Sequence, residues 1–123
     1  MRLATEIYTD NVSESKAFYC DTFNFKVKYE IAGYVIIQHK ENPAYELLFC
    51  IPNSPFVNEI FRPKFYGKGM IFQMEVNNIQ MEYDRIKNLN IPIVLDLTDE
   101  PVNGKHFTIT DPNGIYIDIV QIR

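Results

Sequence analysis

Five side chains in this sequence carry groups that could do chemistry together: Glu6, Glu46, Glu75, His106 and Asp118. Asp118 is a lone carboxylate in the otherwise apolar run "GIYIDIVQ", and His106, in "GKHFTIT", is one of only two histidines, the other being His39. An imidazole oriented by a carboxylate is the ingredient of a general base. The same pair can equally be a structural hydrogen bond inside a hairpin. Asp118 itself has three readings: a solvated carboxylate, a binding group for a polar or cationic ligand, or an acid/base. Several carboxylates facing one cavity repel one another and raise at least one pKa unless a cation or donor relieves them, which points to cationic ligands. No nucleophile with its base and oxyanion hole is recognisable.

The elements that must position these groups come in two similar sets. "LATEIYT" alternates like a strand. "NVSE" follows, with Asn11 as N-cap and Glu14 three residues on, the pattern of a capping box. The spacing predicts a helix to about Thr22 that buries Ala17, Phe18 and Cys20. "NFKVKYEI", "GYVIIQHK" and "AYELLFCI" then read as strands. The second half repeats the order: the strand "GMIFQMEV", a helix presenting Ile79, Tyr83, Ile86 and Leu89 on one face, and the strands "IPIVLDL", "GKHFTIT" and "GIYIDIVQI". Asp-Pro-Asn-Gly supplies the last turn. The expected division is a single domain, 1–123, with module one at 1–52, a connecting segment at 53–68 and module two at 69–123. A short helix is expected from Phe56 to Phe61 in that segment.

Strand alternation sorts the side chains. Ile7, Phe72, Met74, Val76, Phe107, Ile109, Ile115, Ile117 and Ile119 fall on the helix side. The opposite parity carries Ala4, Glu6, Tyr8, Glu46, Leu48, Cys50, Ile71, Gln73, Glu75, His106, Thr108, Tyr116, Asp118 and Val120. His39 has helix-side parity near a turn.

Composition narrows the function classes. With 46% hydrophobic residues, 14% aromatic residues and a net charge of −4, the chain has material for a core and no basic cluster for tracking nucleic acid. The two cysteines, Cys20 and Cys50, have no CxxC neighbour and read as free thiols. The opening "MRLATEIYTD" is not read as a signal peptide and no apolar run reaches membrane-spanning length. A cytoplasmic protein without membrane or nucleic-acid partners is the expectation.

Two motifs resemble the vicinal oxygen chelate superfamily, which includes glyoxalase I, bleomycin-resistance proteins and extradiol dioxygenases. "NVSESKAFYCDTFNF" is similar to its opening D-x-x-x-S-x-x-F-Y-x-x-x-L-G-F, with Asn11 for the usual Asp and Asn24 for the usual Gly. "DPNGIYIDIVQ" is similar to its ending D-P-x-G-x-x-x-E/D. The resemblance implies an α+β fold in which two βαβββ modules form a curled mixed β-sheet cup with helices on the outside. It also implies four metal corners, which by position are Ala4, Glu46, Ile71 and Asp118. Alanine and isoleucine have no donor atom, and a catalytic metal needs about three protein ligands. No metal and no cofactor is therefore expected.

The reading that follows is a metal-free binding protein of the bleomycin-resistance kind, sequestering an aromatic or cationic small molecule. Its ligand-binding residues would be Glu6, Tyr8, Glu46, Gln73, Glu75, His106, Tyr116 and Asp118. The alternative is a glyoxalase-like lyase or isomerase with His106 and Asp118 as acid/base candidates. Family habit implies a homodimer.

Overall fold

Each half of the chain runs strand, helix, strand, strand, strand, because a parallel pair needs a long crossover while antiparallel neighbours need only a turn. The computed structural model describes every residue except Phe56, Asn103 and Arg123. In the first unit, Met1–Tyr66, the elements are β1 (Thr5–Tyr8), α1 (Val12–Phe23), β2 (Phe25–Ile31), β3 (Tyr34–His39) and β4 (Glu46–Cys50). In the second, Gly67–Arg123, they are β5 (Ile71–Glu75), α2 (Ile79–Asn88), β6 (Leu95–Glu100), β7 (Gly104–Thr110) and β8 (Tyr116–Gln121). The sheet orders are β1-β4-β3-β2 and β5-β8-β7-β6, with the first pair of each parallel and the rest antiparallel. The expected α+β class and the repeated βαβββ plan are both present.

Within each unit the crossover lays its helix against one face of the sheet, and that face holds the core. In the first unit Ile7, Tyr19, Phe25, Val35, Ile37 and Phe49 are buried, with Tyr19 stacked on Phe49 at 5.7 Å and edge-on to Phe25 at 5.8 Å. In the second, Ile86, Phe107, Ile109, Ile117 and Ile119 are fully buried, and Tyr83 packs edge-on against Phe107 at 5.2 Å. Burying each such side chain stabilises the fold by roughly 1.5–3 kcal/mol.

Four local expectations are corrected. Helix α1 buries Ser15, Tyr19 and Thr22, while Ala17 is exposed and Phe18 and Cys20 are only half-buried. Those three lie four and three residues apart on one stripe, and the Ser15 hydroxyl meets its hydrogen-bonding need by donating to the Asn11 carbonyl at 2.6 Å. Asn11 is the N-cap but its side chain makes no capping bond, so no capping box forms. In α2, Leu89 is the C-cap and is 47% exposed, because the chain turns away at Asn90 with φ 60°. Strand β6 begins at Leu95 rather than Ile91 and runs on to Glu100. In the connecting segment a 3-10 turn spans Glu59–Phe61; Phe56, the expected start of a helix there, lies outside the described residues.

Two turns set the hairpin that carries His106 and Asp118. Asp111 accepts from the backbone N–H groups of Asn113 at 2.8 Å and Ile115 at 2.9 Å, so the Asp-Pro-Asn-Gly turn is pinned by its first residue. Gly104 opens β7 at φ +72°, where an added Cβ would stand 2.4 Å from the Gln121 carbonyl oxygen. Only glycine fits there. The resulting register pairs Thr108 with Asp118 and His106 with Val120.

Candidate functional site

The helix-free face of the second sheet holds a buried imidazole between carboxylates. His106 is 6% exposed, and its Nδ1 lies 2.8 Å from Asp118 Oδ1. A carboxylate only accepts, so Nδ1 carries the proton and donates. The Thr108 hydroxyl donates to the same oxygen at 3.2 Å. On the opposite edge of the ring, Nε2 sits 3.3 Å from Glu100 Oε1, at ion-pair distance but without hydrogen-bond geometry. The bond to Asp118 raises the His106 pKa above its ordinary 6.5; burial opposes the rise and Glu100 adds to it. A raised pKa favours imidazolium. In that state the ring donates a proton and cannot take one up, so the arrangement suits an ion pair or an acid better than a general base.

Glu100 was not among the residues expected from the sequence. The signal lay in the end of β6. Between Leu95 and Thr98 the β6 register slips against β7, so that Thr98 pairs with His106 and Glu100 with Gly104. On the same sheet Gln73 pairs with Asp118 and Glu75 with Val120, both exposed on β5. Tyr116 is covered by Lys68, whose Nζ lies 4.8 Å from the ring centroid and 3.3 Å from the hydroxyl.

The helix-free face of the first sheet has a different chemistry. Glu46, 7% exposed, is gripped by Arg2 at 2.9 Å and Lys28 at 3.0 Å, one cation on each oxygen. Lys28 reaches it because the β2–β3 register slips between Val27 and Tyr29. Beyond Glu46 the face is apolar and aromatic. Glu6 pairs with Leu48, Tyr8 with Cys50, and Cys50 in turn with Tyr34. Tyr8 stacks on Phe61 at 6.3 Å, and Tyr29 meets Tyr34 edge-on at 6.4 Å. Burial pushes up the pKa values of Tyr8, Tyr34 and Cys50, and after burial the largest influence on all three is the Glu6 carboxylate. Cys50 is thus a protonated, unreactive thiol.

The eight expected binding residues therefore divide into two groups. Glu6, Tyr8 and Glu46 share one face of the first sheet; Gln73, Glu75, His106, Tyr116 and Asp118 share one face of the second. His39, with helix-side parity, is a structural residue: it packs edge-on against Phe25 at 5.3 Å and its Nδ1 accepts from the Glu41 and Asn42 backbone. The four corner positions do not fit a metal. Ala4 and Ile71 offer no donor, Glu46 is neutralised by two cations, and Asp118 Oδ1 is occupied by His106 and Thr108. Glu100 and Asp118 flank opposite nitrogens of one ring instead of converging, and among the described residues no group of three or more His, Cys, Asp or Glu could hold an ion.

Residues 3–119 match the model of the Glyoxalase/Bleomycin resistance protein/Dioxygenase superfamily. The chain belongs to that superfamily. Solved structures with the superfamily fold agree over nearly its whole length. TnmS3, an antibiotic binding protein from Streptomyces sp. CB03234, superposes with a TM-score of 0.74 at 14% identity, covering 100% of this chain and 96% of its own. A lactoylglutathione lyase from Agrobacterium tumefaciens gives 0.71 at 22% identity, over 98% and 92%. A glyoxalase/bleomycin resistance protein/dioxygenase from Nocardioides gives 0.77 at 14% identity, over 99% and 83%. No curated protein matches in sequence. Among the described residues of this superfamily member no helix is long and apolar enough to cross a membrane.

Proposed function

We propose that this superfamily member is a metal-free small-molecule binding protein that captures an aromatic or cationic ligand without chemical conversion. One observation carries the reading: the two carboxylates at the superfamily's metal positions are already engaged by the protein itself. Glu46 holds Arg2 and Lys28, and Asp118 holds His106 and Thr108. Groups so engaged are poor metal ligands, whereas exposed aromatic and acidic side chains still suit capture by shape, stacking and charge. A protein of the same fold is named an antibiotic binding protein, which supports this class. The test is calorimetric titration with bleomycin-type and other cationic aromatic compounds. The absence of both heat and thermal shift across a broad panel would remove the proposal.

Homodimer formation belongs to the same reading. Val27, Tyr29 and Ile31 on strand β2 are 43%, 52% and 53% exposed, apolar surface that a second copy could cover. Sedimentation equilibrium at micromolar concentration checks this, and a purely monomeric profile excludes it. We further read the two units as one domain acting in the cytoplasm.

A second reading, a lyase or isomerase, rests on the His106–Asp118 separation of 2.8 Å. There the imidazolium would donate a proton to the departing or forming oxygen. Turnover of hemithioacetals of α-keto aldehydes, abolished by His106→Ala, would establish it; unchanged turnover in that variant removes His106 from the chemistry.

A further inference from the structure

We propose that the ligand's cationic group is taken by Glu6, on the aromatic helix-free face of the first sheet, and that the ligand class is an organic cation carrying an aromatic body. This deepens the binding reading above and rests on it.

Four carboxylates were expected on the helix-free faces. Glu46 is neutralised by two cations, and Asp118 by a hydrogen-bonded imidazole and a hydroxyl. Glu75 is exposed opposite Val120, and no aromatic contact involves that pair among the described residues. Glu6 combines both requirements. It is exposed, its hydrogen-bonding neighbour is the Tyr8 hydroxyl, no Lys or Arg is paired with it among the described residues, and it stands in register with Leu48, one step from the Tyr8–Cys50–Tyr34 row. Tyr8 and Tyr34 each make a further ring contact, to Phe61 and Tyr29.

The electrostatics agree with this geometry. Glu6 pushes up the pKa values of both tyrosines and of the Cys50 thiol, so its charge is felt across the row and disfavours any second anion there. A carboxylate beside aromatic faces attracts a cation twice, through its charge and through the ring quadrupoles. An anionic ligand would be repelled from the same surface.

The experiment titrates the full chain by fluorescence with proflavine, a planar aromatic cation, and with acridine, the same ring system in neutral form, in one buffer slightly above neutrality. Wild type, Glu6→Gln and Glu41→Gln are compared after circular dichroism confirms their fold. Wild type should bind proflavine about tenfold more tightly than acridine, Glu6→Gln should lose that preference, and Glu41→Gln, at an exposed carboxylate in the β3–β4 turn, should keep it to within about twofold. Raising the salt concentration should weaken proflavine and leave acridine nearly unchanged, a readout that needs no variant. Equal binding of the two probes by wild type overturns the inference. So does a preference that survives Glu6→Gln or disappears in Glu41→Gln. In each of those cases the binding reading stands. Failure of wild type to bind either probe overturns the inference, and a silent broad panel in addition removes the binding reading itself.

Discussion

The two units both bury an apolar helix side and are unlike on the other face. Both helices cover a buried apolar set, in the first unit with three rings, Tyr19, Phe25 and Phe49, and in the second mostly isoleucines with Phe107; Phe49 and Phe107 are each fully buried. On the helix-free faces the first unit shows tyrosines, Leu48 and Cys50 around Glu6, whereas the second shows His106, Thr108 and Asp118 bonded to one another. Register makes the contrast sharper. Gln73 pairs with Asp118 in the second unit; the matching partner of Glu6 in the first is Leu48, and Glu46 lies two residues earlier on its strand. A duplicated fold thus preserves the half of each sheet that packs and frees the other half to diverge.

The largest expected effects test the shared side. Phe49→Ala and Phe107→Ala should each cost about 3–5 kcal/mol in urea denaturation, because each leaves a cavity behind a packed helix. Markedly unequal costs would break the equivalence of the two cores. Next comes the polar face of the second unit. Asp118→Asn weakens the acceptor of a buried N–H and should cost about 1–3 kcal/mol, whereas Glu46→Gln releases two cations that are already 46% and 40% exposed and should cost less than about 1 kcal/mol. The reverse order would show Glu46, not Asp118, to be the structural carboxylate.

A pH series sharpens the same contrast. The folded-state pKa of His106 is raised, so its contribution to stability is complete below the ordinary value of 6.5 and is lost as pH rises through the raised value. Wild-type stability should fall across that window, and His106→Gln should flatten the slope; an unchanged slope would assign it to another group. The smallest effect belongs to Glu6. Glu6→Gln should leave stability within about 0.5 kcal/mol while letting Tyr8 and Tyr34 ionise at lower pH, which NMR of labelled tyrosines can follow.

The βαβββ repeat and the apolar helix-side set were readable because strand alternation and turn residues are local signals. Ile7, Phe107, Ile109, Ile117 and Ile119 all lie where alternation placed them. The face of α1 was not readable from hydrophobicity. Ser15 and Thr22 look like surface residues, yet they are buried beside Tyr19, and the Ser15 hydroxyl bonds to backbone. Of the site, the parity of Glu6, His106 and Asp118 was legible, while their partners were not. Arg2, Lys28 and Glu100 reach their carboxylate or imidazole from residues distant in sequence or through register slips, which no periodic pattern records.

The sequence by itself determined which side chains share a sheet face, since successive residues of a strand must point opposite ways. It also determined that Ala4 and Ile71 leave two metal corners without donors. Only the tertiary structure decided which carboxylates are met by cations or hydrogen-bond donors. That outcome depends on cations and donors brought within about 3 Å from other strands, and electrostatic interaction falls with distance in space, not along the chain.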